Sequence, residues 1–150
     1  MRRLTTALVM ALMCAGGAAS AQAPDMTGVI QGRQAALMLS GVAMGSIKAS
    51  IDAGQPSSTQ AFNTRALARW AHALPGMFPA GSGVESGVRT KAKAEIWSNR
   101  ADFDAKAAAY AAAADRLAEL SRGEDAAAFT AQWTEVRASC QACHDVYRAD

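Results

Sequence analysis

Large apolar residues recur at every seventh position in several stretches of this chain, and that spacing limits the folds it can adopt. Two such sets are Ile30, Leu37, Met44 and Ile51, and Phe103, Tyr110 and Leu117. A seven-residue repeat places these side chains on one stripe of an α-helix. Alanine is abundant and only 6% of the 150 residues are aromatic, which also favours helices over sheet.

Glycine, proline and capping residues divide this pattern into four predicted helices. They cover about 25–52, 57–74, 98–122 and 124–149, with a long loop from Phe78 to Ile96. We expect Ser57 or Ser58 to cap the second helix and Gly123 to end the third. Four antiparallel amphipathic helices with mostly short links pack as an up-and-down bundle.

The chain begins with a pattern typical of an export signal. A short basic start precedes the apolar stretch Leu4–Ala19, and Ala21–Ala23 form a small-residue cleavage pattern. We therefore expect residues 1–23 to be a bacterial signal peptide and residues 24–150 to be one four-helix domain in the periplasm. The apolar stretch is too short for a membrane anchor, so no membrane-spanning segment is expected.

The charge and the cysteine content exclude some classes of protein. The formal net charge of +2 is too small for the basic field of a nucleic-acid-binding protein. Three cysteines are also too few for a disulfide-built scaffold. Cleavage of the signal peptide removes Cys14, so the mature chain keeps only Cys140 and Cys143.

The two remaining cysteines belong to Cys140-Gln141-Ala142-Cys143-His144, which is a C-x-x-C-H motif for attachment of c-type haem. Their thiols project from one side of a helix and can add to the two haem vinyl groups, while the imidazole of His144 binds iron. The apolar stripe of the last helix includes both cysteines: Phe129, Trp133, Val136, Cys140, Cys143 and Tyr147. A haem attached there would fill the interior of the bundle.

Three other uses of the cysteine pair fit the chain less well. A thioredoxin-like redox pair belongs at the start of a helix in a βαβ unit. A zinc site needs further ligands, and His72 is the only other histidine. A disulfide between two cysteines on one face of one helix would add little stability.

The position of the motif at the end of a four-helix pattern resembles the cytochrome c′ family. The matching segments are Arg33–Leu37, Ala73–Pro75, Glu95–Ser98 and Cys140–Arg148, in the family's order and across essentially the whole mature chain. The resemblance implies an all-α, up-and-down antiparallel four-helix bundle with covalent haem in its core. It also implies one haem c per subunit.

The resemblance implies roles for individual residues as well. His144 is the axial haem-iron ligand, and Cys140 and Cys143 carry the covalent haem. Leu37 is the apolar residue over the other face of the iron, which leaves the iron five-coordinate and high-spin. Two residues belong to the haem environment: Arg148 beside the ligand histidine and Arg33 near the propionates, although either arginine as a plain surface charge stays open.

The implied function is electron transfer, binding of NO and CO, or both, by a protein that is not an enzyme. Peroxidase-like chemistry needs a polar acid–base residue, and none lies near Leu37 in the sequence. The expected partners are small redox proteins or membrane electron-transport components, and a homodimer is open. The alternative is a low-spin, six-coordinate electron-transfer cytochrome with Met38 or Met44 as sixth ligand. His72 is a further but weaker candidate ligand.

Overall fold

A computed structural model describes residues 25–150, so the predicted signal peptide and Cys14 lie outside the described residues. The α-helices are α1 (Thr27–Asp52), α2 (Ala61–Ala73), α3 (Glu95–Ser98), α4 (Arg100–Leu120) and α5 (Ala126–Tyr147). Short 3₁₀ turns cover Ser57–Gln60, Leu74–Met77 and Val84–Ser86. Within residues 25–150 the only β pairing is an isolated bridge between Ala92 and Arg148.

The four long helices form an antiparallel bundle. α4 packs against both α2 and α5, α1 packs against α2, and α1 and α5 meet less closely. The alanine-rich stretch of α4 buries Ala107, Ala111 and Ala114, whose small side chains let the neighbouring helices approach. The predicted all-α four-helix bundle is confirmed, and none of the described helices is both long and apolar enough to cross a membrane.

The second helix begins at Ala61 instead of Ser57, and Glu95–Ser98 form the separate short helix α3. The predicted end residues Ser57 and Gly123 also do not act as expected. Ser57 does not cap the second helix, because its hydroxyl donates instead to the carbonyl oxygen of Gly123 at 2.9 Å. The predicted end at Gly123 is wrong, because α4 already ends at Leu120. The residue after it, Ser121, has right-handed helical backbone angles, and Gly123 does not take a positive φ. Ser121 is buried and accepts a hydrogen bond from Thr64 at 3.1 Å, which ties this end of α4 to α2.

The predicted long loop follows α2 and is fixed to the end of the chain. The backbone N–H of Lys93 donates to the carbonyl oxygen of Tyr147 at 3.0 Å, and that of Ala149 donates to Lys91 at 2.8 Å. Gly87 takes a positive φ of 74°, a conformation that favours glycine. The loop therefore covers the bundle end where α5 stops, next to His144.

Candidate haem site

The C-x-x-C-H motif lies in the last turns of α5. Cys140 and Cys143 are free thiols, both partly buried against the bundle core, and His144 follows them, partly buried as well. The predicted stripe of α5 is confirmed: its fully buried members are Phe129, Val136 and Tyr147, and Trp133 and the cysteines pack beside them. Both thiols therefore belong to the inner face of α5.

Burial also sets the protonation of these groups. It raises the pKa of the Cys140 and Cys143 thiols, so both are neutral in the polypeptide at physiological pH. The pKa of His144 is lowered, first by burial and then by the positive charge of Arg148. A neutral imidazole has a free lone pair, which is the form that binds a metal ion.

The residues of α1 that stand at the level of the motif follow from the antiparallel packing. The indole N–H of Trp133 donates to the carbonyl oxygen of Met44 at 3.1 Å. Because the two helices are antiparallel, a step of seven residues forward along α5, from Trp133 to Cys140, matches a step of seven residues back along α1, from Met44 to Leu37. Cys140 therefore lies at the level of Leu37. The side chain of Leu37 is 37% exposed, which is unusual for a large apolar residue on the predicted inner stripe.

The same level of α1 lacks a buried side chain altogether. Within the described length of α1, Arg33 and Ile47 are buried, but no residue between them is. A helix in a bundle normally buries a continuous stripe, so this gap indicates that something outside this chain completes the packing. A haem c requires two thiols, a neutral imidazole and an apolar surface that the protein does not fill. The site offers all of these, so its residues fit that group.

Arg33 is buried and is not a surface charge. Only 1% of its surface is exposed, and its guanidinium donates to the hydroxyl of Ser82 at 2.7 Å, the carbonyl of Ser82 at 2.6 Å and Thr90 at 3.1 Å. It also donates to the carbonyl of Met77 and lies 4.4 Å from the ring centre of Phe78. The sequence did not indicate this role in holding the loop, and the predicted place of Arg33 near the propionates stays a prediction.

Arg148 lies beside His144, where the resemblance suggested a basic residue. Its Nη1 is 3.4 Å from Nδ1 of His144, and its backbone N–H donates to the His144 carbonyl. The residue is exposed, but its backbone is extended and pairs with Ala92. Arg148 is therefore held in place by the loop, and the chain is not frayed at this position.

Tyr147 and Asp102 form a polar contact that the sequence analysis missed. The Tyr147 hydroxyl donates to Asp102 at 2.6 Å, and its ring packs edge-on against Phe103 with centres 5.3 Å apart. Burial and the bond to Asp102 raise the pKa of Tyr147 to about 12, and the same bond lowers the pKa of Asp102. A buried tyrosine on the stripe is the only sequence signal for this contact.

The alternative ligands lie away from the level of the motif or point outward. Met38 is 73% exposed, and Met44 packs against the core at the level of Trp133, about two turns from Leu37. His72 lies on the outer surface of α2, 2.9 Å from Asp115 of α4.

Comparisons with known proteins identify the family of this chain. The family model described as Cytochrome C′ matches residues 28–148. Cytochrome c′ of Rhodopseudomonas palustris is 36% identical over 150 residues, which cover 98% of this chain and 97% of the relative. Cytochrome c-556 of Agrobacterium tumefaciens is 33% identical over 123 residues, covering 81% and 97%. The crystal structure of cytochrome c′ from Thermochromatium tepidum has a TM-score of 0.78 and 28% identity, covering 85% of this chain and 100% of that one. The chain therefore belongs to the cytochrome c′ family, whose cofactor is covalently bound haem c.

Proposed function

We propose that this chain is a periplasmic haem protein with five-coordinate, high-spin iron that transfers electrons and binds NO and CO. His144 is the single axial protein ligand, and Cys140 and Cys143 form the two thioether bonds. One observation carries the proposal: the α1 residue at the level of Cys140 is Leu37. A leucine side chain has no lone pair, so it cannot bind iron.

When bound, the haem supplies an iron that exchanges one electron or takes a diatomic ligand. Leu37 crowds its free face and offers no hydrogen bond. The hydroxyl of Ser40, one turn further along α1, donates to the carbonyl of Ala36 at 2.8 Å and is engaged there. Leu37 therefore gives the polar complex with dioxygen no donor, whereas NO and CO need none. The same lack of an acid–base group supports binding without catalytic turnover.

The surroundings of His144 support weak axial ligation. A ligand histidine usually donates its second N–H to an acceptor, which raises the basicity of the metal-bound nitrogen. Here Nδ1 faces a guanidinium nitrogen of Arg148 at 3.4 Å. A guanidinium only donates hydrogen bonds, so it cannot strengthen the imidazole in this way. A weaker ligand field favours high-spin iron.

The location and the partners complete the proposal. The export pattern of residues 1–23 supports cleavage before residue 24 and a periplasmic domain over residues 24–150. In that compartment, small redox proteins or membrane electron-transport components would exchange electrons with it. A related cytochrome c′, with a TM-score of 0.77 and 27% identity, is described as having a ligand-controlled dimer dissociation. The exposed apolar residues Met38, Leu39 and Val42 of α1 give a second copy of this chain a surface to bind.

The visible spectrum of the reduced protein, with and without CO, tests the coordination. The full chain is expressed in bacteria that mature c-type cytochromes, and the exported protein is purified. We expect high-spin bands that change when CO is added. A low-spin spectrum with a methionine–iron band would establish the alternative with Met38 or Met44, and a colourless protein with the mass of the bare polypeptide would contradict the haem itself.

A pair of matched variants locates the ligand. Leu37→Met places a thioether at the free face, and we expect it to convert part or all of the iron to the low-spin form. Met44→Leu, the control on the same helix, should leave the spectrum unchanged. If Leu37→Met stays fully high-spin, the assigned position of Leu37 is wrong.

A further inference from the structure

Trp70 on α2 carries a buried hydrogen-bond donor that no described residue accepts. Its indole nitrogen is buried and has no partner within residues 25–150. The other two indoles each donate to a backbone carbonyl: Trp97 to Pro79 at 3.0 Å and Trp133 to Met44 at 3.1 Å. Buried N–H groups nearly always have an acceptor, so the indole of Trp70 requires one that residues 25–150 do not supply.

The antiparallel packing of α1 and α2 fixes the height of Trp70 in the bundle. At one end, Asn63 of α2 donates to Ser46 of α1 at 3.2 Å. At the other end, Arg33 of α1 donates to the carbonyl of Met77, just beyond α2, at 3.3 Å. Trp70 lies midway between Asn63 and Met77, and therefore at the level of residues 39 and 40 of α1.

That level is also the level of the haem attachment. Ser40 of α1 and Cys140 of α5 both lie close enough to the hydroxyl of Tyr110 on α4 to act on its pKa. The register of α1 and α5 likewise places Cys140 opposite Leu37. Trp70 and Cys140 therefore stand at similar heights on different helices.

The two helices lie diagonally across the bundle. α2 packs against α1 and α4 and hardly touches α5. In haem c, the two thioether bonds are on one half of the porphyrin and the two propionates are on the other. If α5 holds the thioether half, the propionate half would extend away from α5, toward the side of the bundle where α2 lies.

From these observations we infer that the indole N–H of Trp70 donates a hydrogen bond to a haem propionate. The inference rests on the proposed haem site and adds a positioning residue to it. A propionate carboxylate is the strongest acceptor that the haem brings, and a charge-assisted bond satisfies the buried donor. The bond would fix the propionate half from α2, while the two cysteines fix the other half from α5.

Ultraviolet resonance Raman spectra of the haem-loaded protein test whether Trp70 has a partner. The difference between the wild type and Trp70→Phe isolates the indole band of Trp70, and the difference for Trp97→Phe gives a carbonyl-bonded reference. We expect the Trp70 band to report a hydrogen bond at least as strong as that of Trp97. A band typical of a free indole N–H would overturn the inference.

Raman spectra excited in the haem absorption identify the partner. We expect the propionate bending mode to shift in Trp70→Phe and to stay unchanged in the control Trp97→Phe. A hydrogen-bonded Trp70 with no shift of the propionate mode would mean that water or another group is the acceptor, and the inference fails. If Trp70→Phe does not accumulate with haem, the ¹⁵N-labelled wild type in its CO form decides. The indole proton of Trp70 should then resonate downfield of those of Trp97 and Trp133, and an upfield position refutes the bond.

These outcomes are distinct from a failure of the proposed coordination. A coloured but six-coordinate protein contradicts the five-coordinate iron and leaves the Trp70 measurements valid. A colourless protein refutes the haem site and the Trp70 bond together. A high-spin protein with a free Trp70 indole refutes the bond alone.

Discussion

Two regions flank the Cys140–His144 turn, and they are packed very differently. We call Asp102, Phe103 and Tyr147 the proximal corner: its two aromatic rings are buried, and its hydroxyl and carboxylate are bonded to each other at 2.6 Å. We call residues 34–46 of α1 the distal stretch, in which no side chain is buried. In the proposed site, the polypeptide would thus build the ligand side itself and leave the opposite side to be completed by the haem.

This difference fits the chemistry that we propose for each side. A ligand histidine must be held in one orientation, and the proximal corner together with the bridge from Ala92 to Arg148 holds the end of α5. The distal stretch only has to offer apolar surface, which needs no precise contacts between side chains. We therefore expect the largest effects on stability from substitutions that remove the haem from the distal stretch.

Removing both thioether bonds should have the largest effect of all the changes considered, and it should act on the distal stretch more than on the proximal corner. We expect Cys140→Ser combined with Cys143→Ser to lose the haem and at least about 4 kcal/mol of stability, since emptying a core site the size of one aromatic side chain already costs about that much. Hydrogen exchange should lose protection mainly in the distal stretch, with the proximal corner affected less. Cys143→Ser alone, which keeps one thioether bond, is the control and should retain haem. Equal loss of protection in both regions would contradict the difference described here.

The next largest effect is expected at Arg33, which holds the loop over the proximal side. Arg33→Met keeps the length of the side chain but leaves the buried Ser82 carbonyl and hydroxyl without their donor. We expect a loss of about 3 kcal/mol in urea unfolding, because several buried hydrogen bonds disappear together. Gln34→Leu is a matched control, since Gln34 makes one exposed bond to Arg89 of the same loop, and it should cost less than about 1 kcal/mol. Similar losses in the two variants would show that burial of the cation does not matter.

The sequence predicted the proximal side of the site better than the distal side. The motif and the stripe from Phe129 to Tyr147 depend on local helical spacing, which one sequence shows directly, and the structure confirms the stripe. The exposure of Leu37 could not be read from its spacing, which places it on the inner stripe like Ile30. Its exposure depends on how closely α1 approaches α5, a property of the assembled bundle.

Polar contacts between distant segments also could not be predicted from the sequence. Arg33 bonds to Ser82 and Thr90, 49 and 57 residues away, through a loop that has no periodic pattern. The same holds for Tyr147 and Asp102, which are 45 residues apart. The error at Gly123 has the same origin, because Ser121 ends α4 in contact with Thr64, 57 residues away, before the glycine is reached.

A smaller effect is expected from the hydroxyl of Tyr147 in the proximal corner. Tyr147→Phe keeps the ring and removes the bond to Asp102, and we expect a loss of about 1 kcal/mol at pH 7. The pKa of Tyr147 is raised to about 12 from an ordinary value near 10, so the folded state favours the neutral phenol. The stability it contributes is fully present below pH 10 and is lost as the pH rises through 12. Urea unfolding at several pH values should show this alkaline loss reduced in Tyr147→Phe. An unchanged slope between pH 10 and 12 would show that the alkaline loss does not come from Tyr147.

The smallest effect is expected at Met38, whose neighbour Leu37 lies at the level of Cys140. Consecutive residues of a helix are turned by about 100°, so Leu37 and Met38 belong to different faces of the distal stretch. Met38 is 73% exposed, and Met38→Ala should change the stability by less than about 0.5 kcal/mol and leave the visible spectrum unchanged. Val42→Ala, at a similarly exposed position one turn further along α1, is the control. If Met38→Ala alone converts a low-spin spectrum to a high-spin one, Met38 is the sixth ligand. The distal stretch would then bind the iron directly, and its contrast with the proximal corner would no longer hold.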